Sequence, residues 1–198
     1  MKDLSYRDFK ILKKNGKSRK ISAPSKDLLK YQRNLMPFLE KEHLRLEKDF
    51  EVEWIQHGFI KNRNCVTAAK EHIGFEYTIC MDLSEFFDSC NKNHFKENIT
   101  KYSHLFHKDG YCAQGFASSP ILANIASLNM VKQIKLFLDA LHKDAEKIED
   151  TKYAFTIYAD DIQISTNSKH KIKMIIDAIV TFASNNGFSI NKNKTRVR

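Results

Sequence analysis

The stretch FTIYADDIQIST, residues 155–166, decides how this chain folds, because two adjacent carboxylates, Asp160 and Asp161, interrupt a run of apolar, β-forming residues. Phe155, Ile157, Ile162 and Ile164 alternate with their neighbours at period 2 on either side of Ala159 and Asp160, the pattern of two short strands joined by a tight turn. A single Asp at such a tip is an ordinary turn former. Two in succession repel one another unless they are well solvated or share a divalent cation through oxygen. A third carboxylate brought in from elsewhere decides between these.

The order of elements supplies one. FEYTICMDL (75–83) reads as a strand ending near Asp82, while NKNHFKENITKY (91–102) and the segment from about Ser119 to His142 read as helices. After the hairpin, Ile172, Ile175, Ile176, Ile179 and Ala183 recur at helical spacing, with Ser168 as expected N-cap and Gly187 as expected stop. FSINKNKTRV then closes the chain as an extended piece. From residue 75 the order is β, α, β, β, α, β, a split βαβ arrangement in which the first and third strands are neighbours in an antiparallel sheet. Asp82 should therefore meet the turn carrying Asp160 and Asp161, although 78 positions separate Asp82 from Asp160. Three carboxylates without an obvious cationic partner nearby in sequence suit a pair of Mg²⁺ ions about 3.5–4 Å apart, an arrangement that serves phosphoryl transfer.

Composition sets the bounds. The chain has 198 residues, 42% of them hydrophobic, enough for one good-sized core or two small lobes. No apolar run approaches the roughly 20 residues that span a bilayer, and MKDLSYRDFK lacks the apolar core of a signal peptide, so a cytoplasmic protein without a membrane partner is expected. Cys65, Cys80, Cys90 and Cys112 form no CxxC pair, which points to reduced thiols rather than zinc ligands. The net charge is +9, and residues 1–33 alone carry +8, a clustering suited to phosphates.

These segments together resemble bacterial reverse transcriptases. YADD (158–161) resembles the catalytic box, and MDLSEFFDS (81–89) the box that supplies the first aspartate. AQGFASSPILAN (113–124) resembles the segment that cradles nucleotide and template. RKISAPSKDLLKYQ (19–32) resembles the fingers motif of retron, group II intron and phage-defence enzymes, and HGFIKNRNCVTAAKEH (57–72) narrows the likeness towards retron-like and defence-associated members. The chain departs from the pattern at Ala113, where Pro is common, and at Ala68, where retron-like enzymes often carry Asn.

The resemblance implies a right-hand polymerase fold, α+β, with fingers at 1–74 and a palm at 75–198. The palm is a split βαβ antiparallel sheet with helices on one face, and 103–118 returns to the nucleotide and template site. It implies Asp82 and Asp160 as main metal ligands, Asp161 as an auxiliary one, the Leu83 carbonyl as a further ligand and two Mg²⁺ ions as cofactor. Phe87 would be the steric gate against ribonucleotides, with Phe86 a core residue. Arg19 and Lys13 or Lys14 would meet the triphosphate, Gln114 and Gly115 the nucleotide and template, and Lys194 the departing pyrophosphate. His57 and His72 read as structural histidines. Implied substrates are an RNA template, a DNA or RNA primer and dNTPs, with a cognate non-coding RNA and a duplex-gripping partner subunit as further partners, since the resemblance stops after the last palm strand and a thumb is expected to be absent. A template-independent nucleotidyl transferase and a non-catalytic RNA-binding module are the competing readings.

Overall fold

The computed structural model describes residues 3–12, 16, 18–143 and 152–198. These form two compact units: Met1–Arg45 with Phe87–Ala126, and Leu46–Phe86 with Ser127–Arg198.

In the first unit, β1 (Tyr6–Leu12) and β2 (Ser18–Pro24) pair as an antiparallel ribbon in which Ile11 faces Arg19 and Lys10 faces Lys20. Helix α1 (Lys26–Asp49) follows at once. Ser25 Oγ accepts from the Leu28 N–H at 3.2 Å, capping the first turn, and Asp27 complements its dipole. Leu28, Ala113 and Phe116 form a small core with Tyr6, Tyr31 and Tyr111 packed around it. The segment 91–102, expected as one helix, is instead a 3₁₀ turn at Lys92–His94 and the single turn α4 (Glu97–Thr100). Asn91 caps only the first of these, and Phe95 is extended at φ −121°, ψ 148°, which breaks the run.

The second unit is built on the expected sheet. Strands β3 (Tyr77–Ser84), β4 (Tyr153–Tyr158) and β5 (Asp161–Thr166) are joined by two short strands, β6 (Ser189–Ile190) and β7 (Arg196–Val197), in the order β4-β5-β3-β6, with β7 also on β3. Every pairing is antiparallel. Ile79, Met81, Leu83, Phe155, Ile157, Ile162 and Ile164 are all buried, as period-2 alternation requires of one face. Helices α5 (Ser119–Lys143) and α6 (Ile172–Asn185) contribute Leu128, Val131, Ile134, Leu138, Ile175, Ile179 and Ala183 to the core. His142 of α5 hydrogen-bonds Thr166, which shares the face of Ile162 and Ile164, so α5 lies against that side. Phe86, in the short α3 (Phe86–Ser89), is buried with its ring 5.8 Å from Phe188, the core role expected of it. On the other side, beyond α2 (Cys65–Glu71), His72 bridges Ser165 and Thr156 at 2.8 Å each.

Two expectations fail in the helices. Ser168 makes no capping bond; a 3₁₀ turn at Lys169–Lys171 intervenes and α6 starts only at Ile172. Helix α5, against the expectation that no run approaches membrane length, is long and apolar enough by length and composition to cross a bilayer, the one such helix among the described residues. Since 67% of its most apolar stretch is buried inside the protein, it has the pattern of a core helix.

The loop 51–63 braces the hairpin from outside. Ile157 N–H donates to Ile55 O, and His57 N–H donates to Ile157 O, both at 2.8 Å, adding a parallel bridge to β4. Arg63 holds this loop through a buried bidentate pair with Glu47 (2.6 and 2.8 Å), a bond to Gln56 O and a guanidinium 4.9 Å from the centre of the Trp54 ring. Gly58 then lies against the turn after β4 so closely that a Cβ there would sit 2.5 Å from Ala159 N. The obstructing atom is backbone, and Ala159 already occupies a left-handed conformation at φ 56° that L residues avoid. Gly58→Ala should therefore lower unfolding stability by about 1–3 kcal/mol through overpacking. Urea denaturation checks this; a variant as stable as the parent would show that the loop yields freely.

Candidate active site

The β4–β5 turn is two residues long, Ala159 and Asp160, and register does the rest. On β5, Asp161 is the partner of Tyr158 on one side and of Asp82 on the other. Leu83 N–H donates to Asp160 O at 2.8 Å, and Asn191 N–H to Asp82 O at 2.8 Å, so main-chain bonds fix both acidic positions. Asp82 is 5% exposed, whereas Asp161 is open to solvent. The 3₁₀ turn at Lys192–Lys194 brings Lys194 Nζ to 2.6 Å from Asp82 Oδ2. Asp82, Asp160, Asp161, Leu83 and Lys194 thus meet at one edge of the sheet, within one unit.

The electrostatics follow from crowding. Partial burial of its carboxyl, with the charges of Asp160 and Asp82, raises the Asp161 pKa, and Lys194 only partly counters this. The hydrogen bond to Asp82 raises the Lys194 pKa, helped by the charge of all three carboxylates and opposed by desolvation. One ammonium facing three carboxylates leaves an acidic excess, and an all-oxygen donor set of this charge fits a hard divalent cation. Among the described residues no group of three or more His, Cys, Asp or Glu side chains is placed to hold a metal ion by itself. A site with fewer protein ligands is the habit of Mg²⁺, which is held by one or two carboxylates together with substrate phosphates and water.

The first unit holds the remaining described candidates. Ser22 N–H on β2 donates to Gln114 O at 2.8 Å, and Gly115, at φ 109°, presses so closely on the same strand that a Cβ would lie 2.5 Å from Ser22 O. Glycine at 115 is thus required by the packing of this segment on β2. Arg19 is exposed on β2, three residues before Ser22. Phe87 is half-buried in α3. Lys13 and Lys14 lie outside the described residues.

His57 and His72 are engaged as structural residues. His57 is bonded to Trp54 O and Thr67 Oγ1, His72 to the two hydroxyls of the sheet, and burial lowers the pKa of both. All four cysteines are free. Sequence reasoning missed Gly58 and the strip 55–57 that support the turn; the signal available was a glycine set between His57 and Phe59 in an otherwise glycine-poor stretch.

A family model described as reverse transcriptase (RNA-dependent DNA polymerase) matches residues 11–198. Among curated proteins, the chain is 23% identical to the retron Mx65 reverse transcriptase of Myxococcus xanthus, over 98% of this chain and 48% of that protein. It is 26% identical to the retron Ec86 reverse transcriptase of Escherichia coli, over 98% and 59% respectively. The chain spans about half the length of the curated relatives it matches. Among solved structures, apo telomerase from Candida tropicalis truncated from its C-terminal domain is similar in fold, with a TM-score of 0.70 at 17% identity over 98% of this chain and 50% of that one. Telomerase from Candida albicans in complex with a fragment of telomeric RNA has a TM-score of 0.67 at 14% identity, over 100% and 42%.

A consequence for stability follows from Asp161. Its folded pKa lies above its unfolded one, so its ionised form weakens the fold. The penalty is absent below the unfolded pKa and complete once pH has risen through the folded value. In metal-free buffer Asp161→Asn should therefore be more stable than the parent at about pH 7, and the advantage should vanish towards about pH 3. Melting temperatures across this range check it; an advantage that grew on acidification would contradict the sign.

Proposed function

The chain belongs to the reverse transcriptase family, and from that premise we propose that it is the fingers and palm of an RNA-directed DNA polymerase that extends a primer 3′-hydroxyl with dNTPs on an RNA template. The observation that carries this reading is the register of Asp82 against Asp161, with Lys194 on Asp82 at 2.6 Å. In this proposal residues 1–74 serve as fingers and 75–198 as palm, with 103–118 serving the nucleotide and template.

Asp82 and Asp160 would be the main ligands of two Mg²⁺ ions, with Asp161 and the Leu83 carbonyl as lesser ones. Bound there, the ions would lower the pKa of the primer hydroxyl and neutralise charge on the phosphoryl group. Lys194, kept protonated by its carboxylate neighbours, can donate a proton to departing pyrophosphate. Arg19 suits bidentate contact with a triphosphate, and Lys13 or Lys14 would add a point charge. Gln114 and Gly115, held on β2, offer backbone to the nucleotide. Phe87 is proposed to exclude the 2′-hydroxyl.

The likeness to retron enzymes supports a retron-like role; service in antiphage defence, in the cytoplasm, is proposed with it. A cognate non-coding RNA is the proposed partner, and duplex grip would come from a thumb or a partner subunit.

Asp82→Asn and Asp160→Asn should each abolish primer extension while leaving the circular dichroism spectrum unchanged; normal turnover by either would overturn the assignment. Phe87→Ala should admit ribonucleotides. If Phe87 is a core residue only, the same change costs about 3–5 kcal/mol of stability and leaves sugar selectivity as it was.

A further inference from the structure

A cavity of about 270 Å³ opens from Asp82 and Asp161 along the side of the sheet turned away from the buried isoleucines. Its floor and walls follow from register. On β3, Asp82, Cys80 and Thr78 alternate with the buried Met81 and Ile79, so they share the outward face. Cys80 pairs with Gln163 on β5 and with Arg196 on β7. Thr78 exchanges both main-chain bonds with Arg198, at 2.9 Å each. Cross-strand partners present their side chains on the same face. The small side chain of Cys80 therefore forms the floor, with Gln163 on one flank and Arg196 and Arg198 on the other.

Beyond Cys80 on the same face, Thr78 Oγ1 and Ser165 Oγ share a hydrogen bond at 2.7 Å, and Ser165 Oγ is bonded to His72 Nδ1 at 2.8 Å. The near end is the acidic edge. Lys194, Arg196 and Arg198 stand at every second position along the basic flank. Lys194 is bound to Asp82, but no ion pair engages Arg196 or Arg198 among the described residues, and both are exposed. Same-face neighbours on a strand are about 6.6–6.8 Å apart, comparable to the step between successive phosphates of one nucleic acid strand.

We infer that Arg196 and Arg198, with Gln163 opposite, hold the last phosphodiesters of the primer strand and so aim its 3′ end at Asp82 and Asp161. This rests on the polymerase reading. The chemistry recognised is a phosphodiester backbone without regard to base, since the flank offers guanidinium groups and the floor offers no aromatic ring for stacking. A planar guanidinium suits bidentate contact with phosphate. The acidic end repels phosphate unless cations intervene, and the basic flank attracts it. That gradient sets the direction in which a strand lies, with the phosphates over the arginines and the terminal hydroxyl at the carboxylates.

The test uses the whole chain and a fluorescently labelled RNA-template and DNA-primer hybrid with a recessed 3′ end, in EDTA so that no turnover occurs. Arg196→Gln and Arg198→Gln should each weaken binding and reduce the slope of log K against log salt by about 0.7–0.9, the loss of one phosphate contact. Arg196→Lys and Arg198→Lys should restore the slope. With Mg²⁺ present, the Gln variants should raise the KM for primer and leave the KM for dNTP unchanged. Two results would overturn the inference: an unchanged salt slope in both Gln variants, or a rise confined to the KM for dNTP, which would assign the arginines to the incoming triphosphate. A reduced slope in the variants of a chain that extends no primer would leave the phosphate site standing and remove the polymerase reading instead.

Discussion

The antiparallel pairing of β3 with β5 is the constraint on which the rest of the second unit depends. It sets Asp82 beside Asp161, and the fold must then tolerate carboxylates that repel. A strand pair slipped by one residue would turn the isoleucines of β5 outward and carry Asp161 to the buried face. Burial of Ile162 and Ile164 therefore fixes the position of the acidic residues as firmly as any contact of their own. Hydrophobic packing on one side of the sheet holds an unfavourable charge arrangement on the other.

Three features hold this arrangement in place. Lys194 places one ammonium on Asp82. Main-chain bonds from Leu83 and Asn191 hold the backbone at Asp160 and Asp82 without drawing on their side chains, which leaves carboxylate oxygens available to a cation. The loop 55–58 supports the turn at Ala159, a residue in an unfavourable left-handed conformation. Strain of this kind persists only where the surroundings over-determine it, and here a parallel bridge and a glycine contact do so.

Much of this was legible from the chain itself. The alternation around Asp160 gave the hairpin, and the βαββαβ order gave the neighbour relation that puts Asp82 beside it, because both depend on periodicity and on topological rules that leave few choices. What escaped was set partly by local backbone breaks and partly by atoms far apart in sequence. The 91–102 segment carries helix-forming residues, yet one extended residue, Phe95, divides it. Ser168 has the chemistry of a cap but precedes a 3₁₀ turn. Gly115 was legible as a place of close approach, but its nearest neighbour is the carbonyl of Ser22, a partner no local pattern reveals. Gly58 is the same case, its reason for being lying 101 positions away at Ala159.

The ion pair between Lys194 and Asp82 joins positions 112 apart. A chain made from its N-terminus presents Asp82 long before the lysine exists to meet it. Until residues 153–166 have emerged β3 has none of its partner strands, and until 189–197 have emerged it still lacks β6 and β7. Contacts of such separation form late and slowly, so β3 must wait first for β5 and then for β6 and β7. The acidic edge of this sheet is complete only when nearly all of the 198 residues are available, which makes the unpaired β3 segment the one most in need of protection from association with other chains before then.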